Sequence, residues 1–263
     1  MSRLELDRVT VTYGARTALD DVTLEIESGE VLAVIGPNGS GKTTLVRAIS
    51  GVASLARGAI RLDGEDLARL GAKARARRVA VVPQGARVPV GITVADLVLL
   101  GRTPHQSVWG HATRSDREAA RRAIERVGVE PLADRFTTEV SGGELQRAII
   151  ARALAQSPRV LLLDEATAQL DVRQELSILA LARTLAREDG LIVIATLHDL
   201  LLAGRFADRV AVLAGGRLRA TGRPDATLVP EVLEPVYDVG FQVIAHPDLG
   251  VPIVLPELPR ERE

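Results

Sequence analysis

One stretch constrains this 263-residue chain more than any other: Gly36, Pro37, Asn38, Gly39, Ser40, Gly41, Lys42 and Thr43, preceded by the apolar run 31–35 and followed by a helical pattern over 42–50. It has the form G-x-x-x-x-G-K-[ST] of a phosphate-binding loop. Glycines at 36, 39 and 41 let backbone N–H groups turn toward one point and form an anion nest. A helix N-terminus aims its dipole at that point as well. The Lys42 ammonium then reaches the β- and γ-phosphates of a nucleotide, and the Thr43 hydroxyl is a ligand for Mg²⁺. Residue usage sharpens the case, because of 33 basic residues only Lys42 and Lys73 are lysines. Everywhere else the chain takes arginine, a planar fork; a compact ammonium on a flexible stem suits a tight phosphate cradle.

The pattern around the loop gives the fold class. Residues 3–13 and 22–27 alternate apolar and polar, the period of half-buried antiparallel strands. The runs 31–35, 79–82, 160–163 and 191–195 are continuously apolar, as suits strands of a parallel sheet covered on both faces. Helical patterns lie between them, over 42–50, 115–127, 142–156, 172–188 and 199–206. Strands alternating with helices predict an α/β fold. The mainly helical stretch from about 95 to 156 reads as an inserted subdomain, set into a core of about 1–94 and 157–223, all within one domain. From about 224 to 263 a Pro-rich terminal appendage is expected.

Two further strand ends carry chemistry. The run Val-Leu-Leu-Leu at 160–163 ends in Asp164 and Glu165, at the sheet edge where open α/β folds bind ligands. Asp164 suits Mg²⁺, which prefers hard oxygens and keeps its water. Glu165 suits the group that orients or deprotonates an attacking water. The run 191–195 leads to Thr196-Leu-His198, where a neutral imidazole can hydrogen-bond a γ-phosphate. Ser141, Gly142, Gly143 and Glu144 open the helix 142–156. Ser141 and Glu144 form a capping box, but capping does not require two glycines, which weaken a first turn. A phosphate approaching the backbone closely accounts for them. Asp171 with Gln174 is a similar cap for 172–188.

Taken together, these motifs identify the chain as resembling the ABC (ATP-binding cassette) ATPases over nearly its whole length. The segment Val140-Ser-Gly-Gly-Glu-Leu-Gln-Arg147 resembles their "LSGGQ" signature and stands between the phosphate loop and Asp164-Glu165, as in that family. The resemblance implies a P-loop NTPase core of RecA-like type, an N-terminal antiparallel β subdomain and an inserted α-helical one. It implies that Tyr13 stacks on adenine, that Thr44 adds a phosphate contact and that Gln84 touches Mg²⁺ and senses a membrane partner. Asp171 matches the D-loop aspartate and His198 the switch histidine. It further implies two copies joined head to tail around two ATP molecules, with each signature on the other copy's nucleotide. Four positions depart from the commonest pattern: Val140 for Leu, Glu144 for Gln, Ala166 for Pro and Ala168 for Ser. None removes a phosphate, metal or base group.

Composition narrows the class. No apolar run approaches the roughly 20 residues of a membrane span, and the acidic N-terminus is unlike a signal peptide. A soluble bacterial protein at the cytoplasmic face of the membrane is expected, working with separate permease subunits and, through them, a solute-binding protein. With 34 acidic residues against 33 basic ones, no general binding to nucleic acid is expected. Residues 93–105 and 196–200, with His246-Pro-x-x-Gly250 in the tail, resemble importers of iron-siderophores, haem and cobalamin. Zinc and manganese importers are the main competing reading. Others are a soluble ABC ATPase of nucleic-acid metabolism and a nucleotide switch without turnover. Within 101–105 the resemblance sets Arg102 toward the membrane partner, so that Arg102→Glu is expected to uncouple hydrolysis from transport. The basic run 73–78 reads as a solvated helix face or a contact for lipid or nucleic acid.

Overall fold

The structure is a computed structural model that describes residues 2–107, 110–168 and 170–257. Residues 258–263 of the expected appendage lie outside the described residues. The chain opens with strands β1 (Arg3–Tyr13) and β2 (Arg16–Glu27), then β3 (Val31–Ile35) and helix α1 (Lys42–Ser50). Next come β4 (Arg57–Leu62), β5 (Glu65–Asp66), α2 (Ala72–Ala76) and β6 (Val79–Val82). A helical block follows, with α3 (Val94–Leu99), α4 (Arg114–Val127) and α5 (Gly142–Leu154). The chain then returns to the sheet through β7 (Val160–Asp164), α6 (Val172–Asp189), β8 (Ile192–Thr196), α7 (Leu200–Phe206), β9 (Arg209–Ala214) and β10 (Arg217–Gly222). It ends with α8 (Pro224–Thr227), α9 (Pro230–Tyr237), β11 (Phe241–Ala245) and β12 (Pro252–Pro256).

Six strands in the order β10-β9-β3-β8-β7-β6 form the central sheet, parallel except for the β9–β10 hairpin. Burial follows the two-residue strand period on both faces at once. Val31, Ala33 and Ile35 join one apolar cluster with the buried faces of α3 to α6, while Leu32 and Val34 join a second cluster with α1. The second cluster is closed by Leu4, Leu6, Leu24 and Ile26 from the antiparallel sheet β2-β1-β4-β5. The continuous apolar runs therefore come from strands roofed by helices on one side and by a second sheet on the other. The α/β fold with an antiparallel N-terminal sheet and a helical insertion is the one expected. Strands β4, β5, β9 and β10 and the hairpin β11–β12 were not anticipated; β10 is an edge strand that alternates exposed Arg217, Arg219 and Thr221 with partly buried Leu218, Ala220 and Gly222.

Arg102 corrects an expectation. It is buried, its Nε bonds Asp116 at 3.0 Å, and Nη1 donates to the Ala155 carbonyl at 2.6 Å. The His105 ring bonds the Gln156 carbonyl at 2.8 Å. The 101–105 segment thus fastens α4 to the C-terminal end of α5, and Arg102 is no surface contact for a partner. The basic run is likewise occupied within the chain. Lys73 donates to the Gln106 carbonyl at 2.8 Å, Arg77 to that of Pro104 at 2.9 Å, and Arg78 pairs with Glu65 at 2.7 Å.

Candidate nucleotide site

The loop 36–43 bridges the end of β3 and the start of α1, at the carboxyl edge of the parallel sheet. Gly36, Gly39 and Gly41 all have positive φ (149°, 77° and 111°). Gly36 is also a close approach: a Cβ there would lie 2.1 Å from the Leu213 carbonyl oxygen. Lys42 is buried, and its Nζ donates to the Gly36 carbonyl at 2.7 Å and the Pro37 carbonyl at 3.3 Å. Its ammonium is curled over the loop it belongs to. Burial lowers its pKa, opposed by the nearby Glu165 and Asp164 carboxylates. The Ser40 hydroxyl is buried without a partner among the described residues. Such an orphan is costly unless an external acceptor or donor completes it.

A cavity of about 270 Å³ opens over this loop, lined by Tyr13, Arg16, Ala18, residues 38–44 and Glu165. Tyr13 is half exposed at the end of β1, where an exposed ring can meet a flat ligand. Arg16, its cross-strand partner, was missed by the sequence reading; nothing marks it among so many arginines except its place in the hairpin after Tyr13. Behind the loop the Tyr237 phenol of α9 meets the Gly36 backbone, and burial pushes its pKa up to about 12.

From the first turn of α1, Thr43 Oγ1 reaches Asp164 Oδ1 at the end of β7 at 3.5 Å. Burial raises the Asp164 pKa against the lowering effect of the Thr196 hydrogen bond. Hydroxyl and carboxylate together are hard oxygen donors of the kind Mg²⁺ takes, so the residues present fit that ion. Glu165 leaves the strand with φ +48°, and its Oε1 accepts from His198 Nε2 at 2.7 Å. The left-handed turn is what swings a side chain next to Asp164 onto the ligand edge.

Other expected residues stand apart. Gln84 is exposed in a turn after β6, outside the cavity lining. Asp171 caps α6 by accepting from Gln174 N at 2.8 Å. At α5 the capping box is present: Ser141 N donates to Glu144 Oε2 at 2.8 Å, and the Ser141 hydroxyl accepts from Glu144 N at 3.4 Å. The backbone bond from Ser141 holds the Glu144 carboxyl below the usual range. Its two glycines differ. Gly143 is buried, and a Cβ there would lie 2.6 Å from the Gln174 Cδ, whereas Gly142 has open space around it. Packing explains the first alone. None of these signature residues lines the cavity over the loop of the same chain.

The profile of the ABC transporter family matches residues 19–168, which takes in both the phosphate loop and the signature. The chain belongs to the ABC transporter family. Among its ABC relatives, the hemin import ATP-binding protein HmuV of Gloeobacter violaceus is 44% identical, with 94% of this chain and 92% of that one covered. The ferric enterobactin transport ATP-binding protein FepC of Escherichia coli is 39% identical over 97% of this chain and 94% of its own. The cobalamin import ATP-binding protein BtuD of Halobacterium salinarum is 40% identical over 96% of this chain and 63% of its own. Among solved structures, an inward-facing transporter described as metal-chelate type superimposes with a TM-score of 0.85 at 25% identity, covering 98% of both chains. A dimeric bacterial ABC transporter cassette gives 0.72 at 29% identity, covering 84% of this chain and 98% of that one. As an ABC cassette the chain is a nucleotide-binding ATPase, and among its described residues no helix is long and apolar enough to cross a membrane.

Proposed function

We propose that this cassette hydrolyses ATP to power inward transport of an iron-siderophore, haem or cobalamin type solute through separate permease subunits at the cytoplasmic face of the membrane. One observation carries the reading. A phosphate nest faces Asp164, and Glu165 is held on His198 at 2.7 Å, at a single edge of the parallel sheet. The division into a core (about 1–94 and 157–223), a helical unit (95–156) and an appendage from 224 belongs to the same proposal.

Tyr13 offers its ring to adenine. The backbone of the loop and Lys42 hold the phosphates, for which the ammonium must leave its carbonyl partners, and Thr44 adds a hydroxyl. Thr43 and Asp164, with Gln84 moving in from its turn, would hold the Mg²⁺ that travels with ATP; when bound, that ion offsets charge on the phosphoryl oxygens. Glu165 takes or orients the proton of the attacking water, and His198 keeps that carboxylate aimed while reporting on the γ-phosphate. Ser141, Gly142, Gly143, Glu144 and Asp171 face the nucleotide of a second copy. Their absence from the cavity of their own chain supports this, as does the dimeric relative.

The test is growth of a deletion strain under separate limitation for ferric siderophore, haem, cobalamin, zinc and manganese. A defect restricted to one of the first three is expected. A defect confined to zinc or manganese would overturn the solute class and leave the ATPase reading standing.

A further inference from the structure

β7 and β8 pair in parallel with Asp164 directly opposite Thr196. Thr196 closes a strand that is otherwise Ile-Val-Ile-Ala, and it is buried to 1% exposure. A lone hydroxyl at such a position is desolvated and must find partners. It finds two. Thr196 Oγ1 donates to Asp164 Oδ1 at 3.0 Å and accepts the backbone N–H of Glu165 at 2.8 Å. The Leu163 carbonyl lies at 3.5 Å, a poorer acceptor for the one proton than the nearer, charged carboxylate.

Each bond has a geometric consequence. The first assigns the rotation of the Asp164 carboxylate, because the oxygen that takes the Thr196 proton is also the one facing Thr43. The second holds the Glu165 amide, and so the φ of +48°, which a non-glycine residue keeps only where its surroundings over-determine it. That turn brings Glu165 to His198.

Resting on the ATPase reading above, we infer that Thr196 is a positioning residue for hydrolysis: one buried hydroxyl bonded to both Asp164 and Glu165 fixes the metal-facing carboxylate and the water-facing carboxylate relative to each other. Its task is alignment: it is buried and does not line the cavity over the loop. Removing the hydroxyl should therefore leave the phosphate nest intact. It should loosen metal binding and catalysis together, by about 10–100-fold, as loss of a partner behind a metal ligand does.

The experiment compares Thr196→Val, which keeps the shape and removes the hydroxyl, with Thr196→Ser, which keeps the hydroxyl. Three readouts are used: binding of a fluorescent ATP analogue in EDTA, Mn²⁺ binding to the nucleotide-loaded protein by electron paramagnetic resonance, and steady-state ATPase activity across Mg²⁺ concentrations. In Thr196→Val, metal-free nucleotide binding should match wild type. Mn²⁺ affinity and kcat should both fall by about 10–100-fold, with Thr196→Ser within about threefold of wild type. Should Thr196→Val not fold, Thr196→Ser against Thr196→Ala, which differ only in the hydroxyl, makes the same comparison. Unchanged Mn²⁺ affinity and kcat in the hydroxyl-free variant would overturn the inference. So would equal losses in both members of a pair, or a loss of metal-free nucleotide binding. Absence of Mg²⁺-dependent hydrolysis in the wild-type protein would instead sink the ATPase reading itself.

Discussion

Lys42 is the residue whose chemistry is least exchangeable. Its ammonium is bonded to two carbonyls of its own loop and buried, so the cradle is preset to the size of that head group. An arginine brings a planar fork with more atoms and more directional donors into the same space. Lys42→Arg should weaken ATP binding by about tenfold or more, since a hydrogen bond to a charged group contributes roughly 1.5–3 kcal/mol. Equilibrium titration with a fluorescent nucleotide measures this, and wild-type affinity would refute the argument from lysine usage. Glu144 shows that a departure from a family pattern can be chemically coherent. The position takes the acidic partner of a capping box, and the Ser141 amide and hydroxyl both donate to it.

At the scale of elements, the helical block is fastened by arginines. Arg126 forks onto Glu188 and Asp189 at the end of α6, both at 2.9 Å, and Arg147 donates to the Val127 carbonyl and the Ser177 hydroxyl. Within the block, Arg102 bonds Asp116, whose carboxylate also caps α4 through Thr113. Removing one member of a buried pair strands the other, at a cost of roughly 3–5 kcal/mol. Arg102→Met should lower the denaturant midpoint accordingly, in place of a selective loss of coupling. A variant with full stability that fails only in transport would restore the surface reading. Asp116 is held at about 2, against an ordinary 3.8, first by the Thr113 hydrogen bonds and then by Arg102. A depressed carboxylate stabilises the fold above its ordinary pKa, and that stability is lost as pH falls from about 4 through about 2. Melting curves over that window should show a smaller acid loss for Asp116→Asn than for wild type.

For the whole molecule the decisive geometry is an absence of contact. The α5 N-terminus presents Gly142 in open space, and no signature residue lines the cavity above the loop of its own chain. On the proposed reading, a second copy placed head to tail would complete the site. Glu165→Gln should therefore keep ATP binding, lower turnover by roughly 10²–10⁴ as loss of a general base does, and elute as an ATP-dependent dimer on gel filtration. A monomer at saturating ATP, or wild-type turnover, would contradict this.

Features that depend on neighbours in the chain could be read directly. The loop at 36–43, the helix caps at Ser141 and Asp171 and the apolar runs that became β3, β6, β7 and β8 are all set by local turn chemistry and side-chain period. The proposed set for ATP and Mg²⁺ rests on the same local signals, since most of its residues stand in the loop, at a strand end or at a helix start, with Gln84 in a turn after β6. What required the folded chain were relations between distant segments. Arg102, within a segment that resembles a family surface, is turned inward because Asp116 and the Ala155 carbonyl await it on α4 and behind α5. In sequence Thr196 stands just beyond the apolar run 191–195, and only the register of β7 against β8 shows that its hydroxyl spans Asp164 and Glu165. Period and motif describe one segment at a time; sheet register and packing decide which segments meet.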